Sequence, residues 1–122
     1  MVVISLVLAV FLWIKHSKRD AVFLSIIMLA DALILFILKN LFKIARPISN
    51  FITETDFSFP SGHATTAVVF FSILSYLILK KYKNAGFIVP ISIFSILIIG
   101  FTRIYLGMHW FTDVLGGFCL GI

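Results

Sequence analysis

Four runs of almost unbroken apolar residues, at 1–14, 21–38, 64–79 and 86–101, limit this chain more than any other feature. Residues 21–38, as a helix, would be about 27 Å long, close to a bilayer's hydrocarbon core of about 30 Å. Residues 1–14 would reach only about 21 Å and read as a short or incomplete membrane helix. Basic residues follow that run rather than precede it, the reverse of a cleavable signal peptide. Only 12% of residues are charged and 61% are hydrophobic; a soluble domain carries about 25% charge and could not hide this much apolar surface. The expected architecture is therefore all-α, a polytopic transmembrane helix bundle forming a single membrane-embedded domain over residues 1–122. A last segment, 112–122, is too short to span.

The polar connections fall into two kinds. Lys15, Lys18 and Arg19 in one turn, and Lys80, Lys81 and Lys83 in another, share one side if every span crosses. The positive-inside rule makes that side cytoplasmic. Residues 39–63 and 102–111 then share the opposite side. The net charge of +5 reads as membrane topology or anion binding; with no long basic face, nucleic acid is excluded as a partner. His16 reads as a solvated turn residue. The single Cys119 rules out an intrachain disulfide or a cysteine-rich metal site, and reads as a small buried hydrophobe.

Asp31 lies inside an apolar run, where a carboxylate is either functional or a neutral group bonded to a neighbouring helix; the sequence leaves both open. Lys39 to Pro60 is the longest polar connection. Pro47 restricts Arg46 to extended geometry, so the preceding helix is expected to end near Ala45. The stretch Pro60-Ser61-Gly62-His63 leads into the next apolar run, as a turn leads into a helix N-terminus. Free N–H groups there favour an anion. Ser61 adds a hydroxyl, and Gly62 admits close backbone approach. Thr102 to Asp113 carries Arg103, His109 and Asp113. On a helix, His109 and Asp113 would lie one turn apart. A carboxylate on one imidazole nitrogen leaves the other as a nucleophile or base, and Arg103 brings a fork suited to phosphate. The plainer alternative is an interfacial Arg103–Asp113 ion pair with His109 as an anchor.

Taken together, Lys39-x6-Arg46-Pro47, Pro60-Ser61-Gly62-His63 and Arg103-x5-His109-x3-Asp113 resemble the motifs of the type 2 phosphatidic acid phosphatase family of membrane lipid phosphatases and its haloperoxidase relatives. The resemblance covers roughly residues 20–118. The family's third motif usually opens Ser-Arg, whereas this chain has Thr102-Arg103, which keeps a hydroxyl. The resemblance implies that Lys39, Arg46 and Arg103 hold phosphate oxygens, aided by Ser61 and the Gly62 amide. It implies that His109 is the nucleophile, oriented by Asp113, and that His63 protonates the leaving oxygen. Three fixed cations and an array of donors can serve phosphoryl transfer without a metal, so no metal or cofactor is expected, and Glu54 and Asp56 read as solvated loop residues rather than ligands. The implied partners are a lipid phosphate and the bilayer. Phe57, Phe59, Trp110 and Phe111 read as interfacial anchors. A small chain with an outward-facing site looks like bacterial members that act on undecaprenyl pyrophosphate, placing it in a bacterial cell membrane. The family typically has six membrane helices, so the resemblance also implies a last helix truncated at Ile122. Two alternatives remain open: a non-catalytic anion-binding membrane protein, which would not need His109 paired to Asp113, and an inactive fragment.

Overall fold

The computed structural model describes residues 2–15, 17–48 and 56–122. His16 and Glu54 lie outside them. The described residues form five helices: α1 (Val2–Lys15), α2 (Lys18–Phe42), α3 (Gly62–Lys81), α4 (Ile88–Tyr105) and α5 (Phe111–Gly121). Three of them, α2, α3 and α4, are long and apolar enough to cross a membrane. The two shorter helices are also apolar.

Local chemistry sets the helix limits. Ser17 caps α2 by accepting the Asp20 amide at 3.3 Å, and Asp20 places negative charge at the positive end. The helix runs past residue 38 to Phe42, so Lys39 stands on its last turn rather than in the loop. Lys39, Asn40, Leu41 and Phe42 bring no proline or glycine that would stop it. It ends short of Ala45 because Lys43 turns left-handed (φ 48°) and its amide bonds the Lys39 carbonyl at 3.0 Å. Beyond it, the Ser58 amide bonds the Ile44 carbonyl at 2.7 Å, and the Phe59–Pro60 peptide is cis.

Helix α3 is the centre of the bundle and packs against α2, α4 and α5. Of its best 18-residue window 44% is buried, against 17% in α2 and 11% in α4. The outer faces of α2 and α4 present Leu33, Phe36, Phe94 and Phe101 outward, as lipid-facing helices do. Polar pairs tie the buried seams. Thr66 of α3 donates to Asp31 of α2 at 2.7 Å, so Asp31 has a partner on a neighbouring helix. Ser75 and Ser92 join α3 to α4 at 2.8 Å.

Two glycines let α5 lie against α3. A Cβ on Gly117 would meet the Ser61 carbonyl at 2.8 Å, and one on Gly121 the Thr65 carbonyl at 2.9 Å. Residues 117 and 121 are four apart, the spacing that lets two helix backbones approach closely in a membrane. Asp113 precedes them by one turn on the same stripe, so this contact presses Asp113 against the start of α3. Its carbonyl accepts the Ser61 amide at 3.0 Å. Cys119 is exposed on α5, not buried as expected; it stands off the 113/117/121 stripe that faces α3.

Candidate active site

Both polar connections meet at one end of the bundle. The Trp110 indole N–H donates to the Ala45 carbonyl at 3.0 Å, pinning the α4–α5 turn to the segment after α2. Trp110 is thus a strut between the two loops, although half of its surface stays exposed. Phe59 packs edge-on against Phe42 and lies over Gly116.

His109 and Asp113 are both buried, each side chain 1% exposed. Asp113 sits in the first turn of α5 and accepts the Trp110 amide at 2.8 Å. The same oxygen, Oδ2, accepts the Ser58 hydroxyl and lies 3.5 Å from His109 Nδ1. Ser58 Oγ is itself 3.4 Å from Nδ1. On the other side of the ring, Arg46 Nη1 is 3.1 Å from His109 Nε2 and also donates to the Met108 carbonyl at 2.8 Å.

A guanidinium only donates, so Nε2 must accept, and in a neutral ring the proton then belongs to Nδ1. The tautomer is therefore fixed from both sides, with the Nε2 lone pair aimed at a cation. Burial, then the Arg46 charge, lower the His109 pKa from 6.5 to about 4 against the opposing pull of Asp113.

Arg46 is 10% exposed at its side chain and Lys39 16%. Both are drawn to Asp56. Lys39 Nζ lies 2.7 Å from Asp56 Oδ2 and also donates to the Phe57 carbonyl. Arg46 Nε donates to Asp56 Oδ1 at 3.0 Å and to the Asp56 carbonyl at 3.1 Å, and Nη2 also reaches Oδ1. Burial would raise the Asp56 pKa, but the bonds and charges of Lys39 and Arg46 outweigh it and hold the carboxyl below its usual range. Asp56 is thus engaged by two cations rather than merely solvated.

Ser61 is the N-cap residue of α3, and Gly62 and His63 open the helix. His63 is exposed. A Cβ at Gly62 would find only an ordinary contact, Leu35 Cδ1 at 3.7 Å, so the protein's own packing does not demand a glycine there. Arg103, in the last turn of α4, reaches Met108 Sδ with Nη1 at 3.6 Å. Asp113 bonds elsewhere, so the Arg103–Asp113 ion pair of the plainer reading does not form. Among the described residues, the buried side-chain atoms left without a hydrogen-bond partner are Ser61 Oγ and Arg103 Nε. An orphaned buried donor costs about 1–3 kcal/mol. Both orphans stand at positions expected to hold phosphate.

Of the expected site residues, Arg46, His109 and Asp113 form one chain of close polar contacts, Lys39 joins it through Asp56, and Ser61 joins it through the backbone of Asp113. Ser58 has no counterpart among the expected residues, and Asp56, expected as a solvated loop residue, is instead a partner of Lys39 and Arg46. Ser58 is separated from its partners by 51 and 55 residues. The one local signal is its position as a lone polar residue between Phe57 and Phe59.

Comparison with known proteins identifies the family of the chain. Residues 20–122 match the model of the PAP2 superfamily. The chain is 34% identical over 110 residues to phosphatidylglycerophosphatase B of Bacillus subtilis strain 168, covering 84% of this chain and 53% of that one. It is 32% identical over 124 residues to the provisionally named undecaprenyl-diphosphatase YbjG of Escherichia coli K12, covering 94% and 60%. The crystal structure of a transmembrane PAP2-type phosphatidylglycerolphosphate phosphatase from Bacillus subtilis superposes with a TM-score of 0.89 at 28% identity, covering 98% of this chain and 62% of that one. The chain therefore spans between about half and two thirds of the length of these relatives.

Proposed function

From the premise that this chain belongs to the PAP2 superfamily, we propose that it is an integral membrane phosphatase that hydrolyses a lipid phosphate or diphosphate through a phosphohistidine. The observation that carries the reading is the double constraint on His109. Its Nδ1 faces Ser58 and Asp113, while its Nε2 lone pair faces the Arg46 guanidinium. That is the form a nitrogen nucleophile needs beside a cation that can hold the group under attack.

In the proposed first step, the Arg46–Nε2 hydrogen bond opens as Nη1 turns to the phosphate, the freed Nε2 lone pair attacks phosphorus, and the bond from phosphorus to the leaving oxygen breaks. His63 gives its proton to that oxygen. Positive charge appears on the imidazole, and Asp113, 3.5 Å from Nδ1, stabilises it. In the second step, water yields a proton to His63 and attacks phosphorus. The N–P bond breaks, inorganic phosphate leaves, and His109 returns to its neutral form.

Phosphoryl transfer asks a protein mainly for positioning and charge stabilisation. Lys39, Arg46 and Arg103 supply the charge. Ser61 Oγ and the first-turn amides of α3 supply donors at a helix N-terminus. The orphaned Ser61 Oγ and Arg103 Nε support this assignment, because a phosphate would satisfy both. The reading needs no metal ion. The basic turns at the far end favour a site on the extracytoplasmic face. The names of the relatives support a phosphatidylglycerol phosphate or a polyprenyl diphosphate as substrate.

Phosphate release from a panel of lipid phosphates in detergent, with EDTA present, tests the proposal. Release that persists in EDTA and vanishes in His109→Ala is the expected result. Release that EDTA abolishes and a divalent cation restores points to a metal mechanism. No release from any substrate leaves two readings, an anion-binding protein or an inactive fragment.

A further inference from the structure

The strongest polar feature of the site that this mechanism leaves unused is Asp56. Its carboxylate bridges the two cations of the first motif, with Lys39 on Oδ2 and the Arg46 fork on Oδ1. Resting on the reading of those cations as phosphate ligands, we propose that Asp56 is a built-in competitor for the phosphate position, and that it acts as a charge filter. A doubly charged terminal phosphate displaces it; a singly charged phosphodiester does not.

Three observations support the idea. First, the ligand edges of Arg46 are taken. Nε and Nη2 donate to Asp56, and Nη1 donates to Met108 and His109. A phosphate can use the Nε–Nη2 edge, the one suited to two-point binding, only where the carboxylate now sits. Second, the Asp56 side chain is 53% exposed while its partners are 10% and 16% exposed. The carboxylate can swing into water while the cations stay in place. Third, Asp56 is an incomplete substitute. It satisfies Lys39 and Arg46 but leaves Ser61 Oγ and Arg103 Nε without partners. Those two donors stand at positions expected to hold phosphate, and the carboxylate leaves both unserved.

The chemistry of the bilayer gives such a filter its purpose. Most membrane phospholipids are phosphodiesters carrying one negative charge on phosphorus, and they surround the site in vast excess. A phosphate monoester, or the terminal group of a diphosphate, carries close to two charges near neutral pH, its second pKa lying near 6. With Asp56 in place, a single charge merely exchanges one anion of that charge for another. The second charge tips the exchange. Without Asp56, the bare cations would accept either class, and abundant phosphodiester would inhibit the site.

Two non-hydrolysable probes of similar size test this: methylphosphonate, a dianion in mildly alkaline buffer, and its monomethyl ester, a monoanion. Affinity for each is measured on the full chain in detergent and on Asp56→Asn, by displacement of bound inorganic phosphate followed by phosphorus NMR. The filter predicts that the unsubstituted protein prefers the dianion by at least about tenfold, about 1.4 kcal/mol. In Asp56→Asn the monoanion should gain more than the dianion, so that the preference shrinks several-fold, and inorganic phosphate should bind more tightly. Short-chain phosphatidylglycerol should displace bound phosphate from the variant and not from the parent.

A carboxylate that merely positions Lys39 and Arg46 gives the opposite result: both probes bind more weakly in Asp56→Asn and their ratio holds. That outcome, or a ratio near one in the unsubstituted protein, overturns the proposal. The ratio within the unsubstituted protein stands even if the variant fails to fold. Because every readout is binding, it is separate from the catalytic reading, which fails instead when phosphate binds but no lipid phosphate is hydrolysed.

Discussion

The two ends of this bundle carry similar charges and use them in opposite ways. At one end, Lys80 reaches Asp20 at 2.8 Å, with side chains 52% and 21% exposed. Lys15, Ser17 and Lys81 line the same cleft. An ion pair so exposed contributes little. At the other end, Arg46 and Lys39 are largely withdrawn from solvent, and His109 and Asp113 almost wholly. Buried charges need partners, and here each partner also constrains the next: Asp56 the cations, Arg46 the imidazole, the imidazole Asp113. Burial, rather than the count of charged residues, separates a site from a membrane boundary in this chain.

The sharpest way to break that contrast is at His109. His109→Ala should lower phosphatase turnover by on the order of 10⁴-fold or more, measured as phosphate release under saturating substrate. Ser58→Ala comes next. It removes a hydroxyl from Asp113 and from the neighbourhood of Nδ1, so the ring loses part of its alignment. A fall in kcat of roughly 10- to 100-fold with little change in KM is expected, on the scale of small misplacements of reacting groups.

The acid behaviour of His109 also separates the ends. Its pKa is held near 4, below the ordinary 6.5. The folded state therefore resists a proton that the unfolded chain accepts. Stability from this source is complete above about pH 6.5 and is lost as pH falls from there through about 4. Nitrogen NMR of the imidazole should show His109 neutral at pH 5.5, and Arg46→Gln should move its titration upward by removing a repelling charge.

Smaller effects probe the scaffold. Gly117→Ala would drive a Cβ to within 2.8 Å of the Ser61 carbonyl. It should destabilise the bundle by about 1–3 kcal/mol, read from denaturation in detergent. The control is Gly86→Ala, where nothing lies within 4 Å. Lys80→Ala, at the other end, should leave turnover within about twofold of the parent, since an exposed pair has little to give.

Much of this could be read in the sequence, because the features concerned are local. Apolar runs announce spans by their length, and basic turns announce a side. The pairing of His109 with Asp113 follows from a spacing of four, although His109 itself stands just before α5 rather than on it. What escaped depends on distance along the chain. Ser58 becomes a partner of Asp113 only once residues 56–60 are laid against the start of α5. Asp56 looks like any loop carboxylate until Lys39 is carried onto the last turn of α2 and Arg46 is set opposite. The end of that helix itself turned on Lys43 adopting φ 48°, a conformation that a lysine adopts rarely and that no local pattern announces. Cys119 was misjudged for a related reason: hydrophobicity predicts removal from water, and in a membrane protein lipid does that as well as a core.

The measurement closest to the central claim is a rapid-quench trap of the phosphoenzyme. The full chain would be mixed with substrate labelled in its terminal phosphate, quenched in base, digested and sequenced by mass spectrometry. The account predicts label on His109, held as an acid-labile, base-stable phosphoramidate, formed no more slowly than steady-state turnover and absent from His109→Ala. Phosphate release with no label on His109 at any time during turnover would contradict it, and would require water to attack the lipid phosphate directly.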